Sequence, residues 1–104
     1  MDLNLRAPSE IVELLSSRLR TERLARQMTQ AEVAGRAGIG VNTLSNLEMG
    51  RSVAFESLVR VAMVLGYADE LENLFKPRLD SLDDILRYEQ SSQRQRIRKK
   101  VRNG

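Results

Sequence analysis

The chain contains no cysteine and no histidine among its 104 residues, and these two absences remove whole classes of chemistry. Without cysteine there is no disulfide framework to staple a fold, and without either residue the usual zinc ligands are missing. Histidine-assisted and cysteine-based catalysis lose their central groups as well, and neither a G-x-S-x-G turn nor a glycine-rich phosphate loop is present. The stretch "GRAGIG" lies between helical patterns, follows no strand and does not match dinucleotide spacing. Adjacent carboxylates such as Asp83 and Asp84 point to different sides of a helix and read as solvated. The expectation is a non-enzyme with no metal, no cofactor and no small-molecule ligand. No apolar run approaches the roughly 20 residues that span a bilayer, and "MDLNLRAPSE" has no basic segment leading into an apolar one. A cytoplasmic protein without a membrane partner is expected. Sustained alternation of β-branched residues is also missing, which argues against a sheet, and no repeat of 20 to 50 residues suggests a solenoid.

What is present is a composition of 41% hydrophobic and 30% charged residues, enough for one core plus tails. The net charge of +3 is unevenly placed. Six of the 17 cations, Arg94, Arg96, Arg98, Lys99, Lys100 and Arg102, fall after Ser91 with no acid among them. Residues 1 to 90 therefore carry 11 cations against all 14 acids, a net of −3. The basic character of the whole chain is a property of its tail, so any case for nucleic acid must come from local arrangement.

Helical periodicity runs through most of the chain. Ile11, Leu14, Leu15, Leu19 and Leu24 form the stripe of a first helix, with Ser9 and Glu10 at its start. "TQAE" opens a second helix with a capping box of Thr29 and Glu32; Val33, Ala34 and Ala37 face inward and Gly38 ends it. A third helix runs to Met49 with Leu44 and Leu47 inward, and Gly50 stops it. Phe55, Leu58, Val59, Ala62 and Leu65 give the inner face of a fourth, ended by Gly66, and "ADELENLF" makes a short fifth. Beyond Pro77, "SLDDILRYEQ" predicts a short sixth helix with a capping box of Ser81 and Asp84, and the last fourteen residues are too poor in apolar groups to order alone. The expected organisation is an arm (1–9), an all-α domain (10–76), a linker with a short amphipathic helix (77–90) and a basic disordered tail (91–104).

The stretch "TQAEVAGRAGIGVNTLSNLEMGR" places two short helices around a tight glycine turn, and fills the outer face of the second with Asn and Ser. These are poor helix formers. They are good readers of bases: Asn42 and Asn46 lie four apart on one face, and an amide donates and accepts at adenine N6 and N7. Val41 either packs on a thymine methyl or turns toward the core, since it lies three residues before Leu44. The alternative for both asparagines is a merely solvated helix face.

Residues 16 to about 75 resemble the XRE (Cro/C1-type) helix-turn-helix family, to which the lambdoid phage repressors belong. The motifs that carry the likeness are "SSRLRTERLARQ", "TQAEVA", "NTLSNLEMGR" and "LVRVAMVLG", in that order. The resemblance implies a five-helix lambda repressor-like domain that binds a double-stranded DNA operator, with the protein on the nucleoid when bound. It further implies that Val41, Asn42 and Asn46 face base edges with Ser45 beside them, and that Thr43 and Arg51 touch flanking phosphates. Gln30 would bond a phosphate and brace the recognition helix, unless it only continues the capping turn. Arg23 and Glu48 match positions that form a partly buried, architectural ion pair. The chain departs from the family pattern at Gly40 and Ala54, where capping residues are usual, and at Gln27, where glycine is common.

Two features outside the helix-turn-helix stay open at this level. Leu71, Leu74, Phe75, Leu79, Leu82, Ile85 and Leu86 form either an intramolecular cap on the core or the seam of a homodimer. The basic tail is a phosphate-binding arm, a docking segment for a partner protein, or a solubilising end; Ile97 and Val101 within it suit docking. The extension resembles, more loosely, the antitoxin of HipBA-type toxin–antitoxin modules, which implies an autorepressor with a HipA-like kinase-fold toxin as partner. The alternatives are a stand-alone or phage-type repressor, or an interaction module whose tail binds RNA or an acidic protein.

Overall fold

The computed structural model describes residues 3–103, with side chains for residues 4–97. Contacts divide the chain into two compact units, Met1–Glu72 and Asn73–Gly104. Among the described residues every regular element is helical: a 3-10 turn (Leu3–Leu5), then α1 (Pro8–Ala25), α2 (Gln30–Ala37), α3 (Val41–Glu48), α4 (Phe55–Val64), α5 (Ala68–Asn73) and α6 (Leu82–Asn103). The all-α, five-helix expectation for the first part of the chain holds.

The helix ends follow from local chemistry. At the start of α2 the Thr29 hydroxyl accepts from the Glu32 N–H at 3.1 Å, and the Glu32 carboxylate accepts from the Thr29 N–H at 3.2 Å, the capping box its spacing predicts. At its end Ile39 N–H bonds the Ala34 carbonyl and Gly38 N–H the Gly35 carbonyl, a Schellman closure with Gly38 at φ +71°. The same pair of bonds closes α1, from Met28 to Arg23 and from Gln27 to Leu24. There the left-handed residue is Gln27, at φ +57°, which costs about 1–2 kcal/mol that glycine would not. α1 itself begins one residue before the expected Ser9: Ala7 is the N-cap and Pro8 takes the first helical position, where its fixed φ and missing N–H do no harm.

One cluster forms the core of the first unit, built from Leu19 of α1, Val33, Ala34 and Ala37 of α2, Leu44 and Leu47 of α3, and Val61 with Leu65. The small side chains of α2 let it pack against both α3 and α4. Leu44, Leu65, Val33 and Val61 are fully buried, each stabilising the fold by about 1.5–3 kcal/mol relative to exposure. The buried face of α1 runs Ser16, Leu19, Arg23, so Ile11 and Leu14 are only half-buried and Leu15 and Leu24 are exposed, against the stripe read from sequence. Leu15 instead lines an open groove of about 290 Å³ with Val12, Leu47, Val53 and Leu58. On α4 the expected inner residue Phe55 is 70% exposed, while Val61, not singled out in the sequence, is fully buried. Phe55 opens the helix one turn before the packed face, which centres on Leu58, Val61, Ala62 and Leu65.

In the second unit, Ser81 caps α6 by accepting from the Asp84 N–H at 3.2 Å. The helix then continues for 22 residues, where the sequence reading ends it near Gln90 and leaves 91–104 disordered. The correction has a physical basis. Gln, Arg and Lys are good helix formers, no Gly or Pro interrupts them before Gly104, and Asp83 and Asp84 in the first turn complement the helix dipole. Apolar poverty limits packing rather than helicity. Leu71 is half-buried, and Leu74, Phe75, Leu79, Leu82, Ile85 and Leu86 are exposed. No described helix is long and apolar enough to cross a membrane.

Candidate nucleic-acid interface

α3 is held from behind by Leu44 and Leu47, so the residues between and before them turn outward. Val41, 45% exposed, lies outside the core, which settles its orientation. Asn42 beside it is exposed, and Ser45 and Asn46 are half-buried on the following turn. Thr43 is half-buried on the flank. Gly40 supplies no side-chain cap, so the leading N–H groups of α3, at the positive end of its dipole, stay open to an anion or a base oxygen.

Behind this face lies the ion pair. Arg23 of α1 holds Glu48, the last residue of α3, through two bonds: Nε to Oε2 at 2.7 Å and Nη2 to Oε1 at 3.0 Å. The third nitrogen donates to the Met28 carbonyl at 2.9 Å, so the guanidinium ties α1, the α1–α2 turn and α3 together. The side chains of Arg23 and Glu48 are only 8% and 3% exposed. The Glu48 hydrogen bonds raise the Arg23 pKa above its ordinary value; burial opposes this, and the carboxylate charge adds to it. Gln30, the first residue of α2, donates to the same Glu48 Oε1 at 3.1 Å. Its amide nitrogen thus braces α2 against α3.

At the other side, Arg51 Nη1 donates to Asn46 Oδ1 at 3.2 Å. The contact arises from the way α3 ends: Gly50, at φ +75°, reverses the chain and Arg51 N–H returns to the Asn46 carbonyl. The equivalent residues after α1, α2 and α4 are Met28, Ile39 and Tyr67, which pack on the core. After α3 the place is taken by an exposed arginine.

The structure therefore gathers Val41, Asn42, Ser45 and Asn46 on one face, with Arg51 joined to it through Asn46 and Gln30 joined through Glu48. Arg94 and Arg96 belong to the second unit and are exposed on α6; the side chains of Arg98, Lys99, Lys100 and Arg102 lie outside the described residues. The brace expected of Gln30 is present, and its partner, Glu48, lies 18 residues away, a distance no local pattern reveals. The Arg51–Asn46 contact had a signal, a polar residue where an apolar one normally follows the left-handed glycine. Among the described residues no group of three His, Cys, Asp or Glu is placed to hold a metal.

A short helix laid across another by a glycine turn, with uncharged amide and hydroxyl groups outward and its uncapped end leading, defines a helix-turn-helix DNA-binding domain. The helix-turn-helix family model HTH_3 matches residues 19–71, and the chain belongs to this XRE-type family. No curated protein matches it. The protein is a DNA-binding regulator of the XRE type.

Proposed function

We propose that this regulator is a sequence-specific repressor that binds a palindromic operator as a homodimer. The observation that carries the reading is the outward face of α3, where Asn42 and Asn46 stand exposed and half-buried with no charged residue between Val41 and Asn46. α3 lies in the major groove. Val41 meets a thymine methyl, and Asn42 and Asn46 bond adenine edges with Ser45 adjacent. The Arg51 bond uses one lone pair of Asn46 Oδ1 and leaves the other, with both amide hydrogens, for a base. Arg51 itself, Thr43 and the free side of Gln30 contact phosphates. Two copies related by a two-fold axis present their recognition helices about 34–36 Å apart, one turn of duplex.

Selection from a randomised duplex library tests this with Asn42→Ala and Asn46→Ala together. Expected is a loss of discrimination of about 1–3 kcal/mol per bidentate contact, with non-specific binding kept. An unchanged sequence preference sinks the reading and favours an interaction module instead. A second reading, supported by the extension's resemblance to HipB-type antitoxins, adds autoregulation of a toxin–antitoxin operon and a HipA-like kinase-fold toxin as partner. Co-purification with the products of neighbouring genes tests it: a stoichiometric kinase-like protein supports it, and recovery of the protein and DNA alone leaves a stand-alone repressor acting in the cytoplasm.

A further inference from the structure

We propose that α6 pairs antiparallel with α6 of a second copy of this chain, about a two-fold axis passing between Ser91 and Ser92. This rests on the dimeric reading above and names the surface that forms the dimer.

The first observation is an exposed stripe with an unusual order. Leu82, Leu86, Gln90, Gln93 and Ile97 are all exposed on α6, and Val101 occupies the next position of the same register. At 3.6 residues per turn these six positions fall within an arc of about 100°. Their spacing reads the same from either end, with two apolar positions, two glutamines and two apolar positions. Laid antiparallel on itself about the Ser91–Ser92 midpoint, the stripe puts Leu82 opposite position 101, Leu86 opposite Ile97 and Gln90 opposite Gln93. Leu86 of each copy then meets Ile97 of the other, apolar against apolar. The glutamines, each both donor and acceptor, meet as two equivalent amide pairs, and slipping the register sets an amide against a leucine.

The second observation is charge, and it selects the direction. Residues 80–89 hold four acids, Asp80, Asp83, Asp84 and Glu89, against Arg87 alone, while residues 94–102 hold six cations and no acid. A parallel pair in register would set six cations against six. The antiparallel pair lays the acidic half of each helix on the basic half of the other and opposes the two helix dipoles. Phosphate binding would need only the cations, and a solubilising end would need no palindromic stripe.

The chain has no cysteine, so single cysteines report unambiguously. Leu86→Cys and Ile97→Cys, both at exposed sites, are made in the full chain, distinguished by a tag on one, mixed, and oxidised after subunit exchange. Expected is a disulfide mainly between unlike variants, several-fold over like pairs. Like–like disulfides overturn the antiparallel arrangement. No disulfide from a chain that sediments as a dimer overturns the α6 pairing and leaves the dimeric repressor standing on another surface. A monomer at concentrations that saturate a selected operator overturns both. As an independent check, Leu86→Asp with Ile97→Asp should raise the dimer dissociation constant at least tenfold while the cooperative unfolding of the first unit is kept; an unchanged constant overturns the proposal.

Discussion

Glu48→Ala is the perturbation that probes most directly what holds the recognition helix in place. The Glu48 carboxylate accepts three hydrogen bonds, two from Arg23 at 2.7 and 3.0 Å and one from Gln30 at 3.1 Å. Its removal leaves a guanidinium in a residue only 7% exposed, with the Met28 carbonyl as its one remaining partner. Stranding one member of a buried ion pair costs about 3–5 kcal/mol, and the lost Gln30 bond adds about 0.5–1.5 kcal/mol. Against a total stability of roughly 5–15 kcal/mol, that is a large fraction. Urea unfolding followed by circular dichroism should show the midpoint falling at constant slope, and the thermal midpoint dropping by about 14–52 °C. The double variant Arg23→Met with Glu48→Met should recover most of the loss, because an apolar pair of similar volume replaces the buried charges. A Glu48→Ala loss under about 1 kcal/mol, the worth of a surface pair, refutes the reasoning. pH supplies no confounding slope from Arg23. Its folded pKa is raised, chiefly by the hydrogen bonds to Glu48, so its contribution is complete below the unfolded value and disappears only as pH climbs through the still higher folded one.

Gln27→Gly should stabilise the domain by about 1 kcal/mol, since Gln27 holds φ +57° at the close of α1; a lower unfolding midpoint would contradict the strain. Ala54→Ser should add about 1 kcal/mol by capping α4, whose extended N-cap now has no side-chain bond, and urea titration would detect its failure as an unmoved midpoint. Arg51→Ala should weaken binding across all duplex sequences and flatten the dependence of log K on log salt by about 0.9, the share of one phosphate contact. An unchanged salt slope would confine Arg51 to orienting Asn46.

Periodicity and capping were legible because they are local. The Thr29–Glu32 box, the glycine at Gly38 and the inward pair Leu44 and Leu47 depend on residues within four of one another. Burial across elements was less so. The stripe of α1 was read from its leucines, yet the core accepts Ser16 and Arg23, because Arg23 meets a carboxylate 25 residues away that no local count foresees. Phe55 is the strongest apolar residue of α4 and sits outside the core, since its place at the first turn precedes the packed face. Low apolar content suggests disorder after Gln90, yet α6 runs on to Asn103, because propensity and end charges govern helicity and apolar content governs only docking. At the candidate interface, the outward residues of α3 followed from its period, while the bonds that position Gln30 and Asn46 came only with three dimensions.

α3 is the least self-sufficient helix of the core. It has eight residues, no side-chain cap at Gly40, and Asn, Thr and Ser at four of its positions. Alone it would not form, since helices shorter than about 12–15 residues are marginal even with favourable sequences. Its geometry is imposed from outside: Leu44 and Leu47 anchor one face, Glu48 fixes the far end to α1 and α2, and Gly50 closes the last turn. Because no helix-stabilising task falls on the outer face, Val41, Asn42, Ser45 and Asn46 are free to vary without unfolding the domain. The scaffold that fixes where α3 stands is thus chemically separate from the residues proposed to read DNA. Substitutions on that outer face should therefore redirect sequence preference at little cost in stability, whereas substitutions at Glu48 should remove both together.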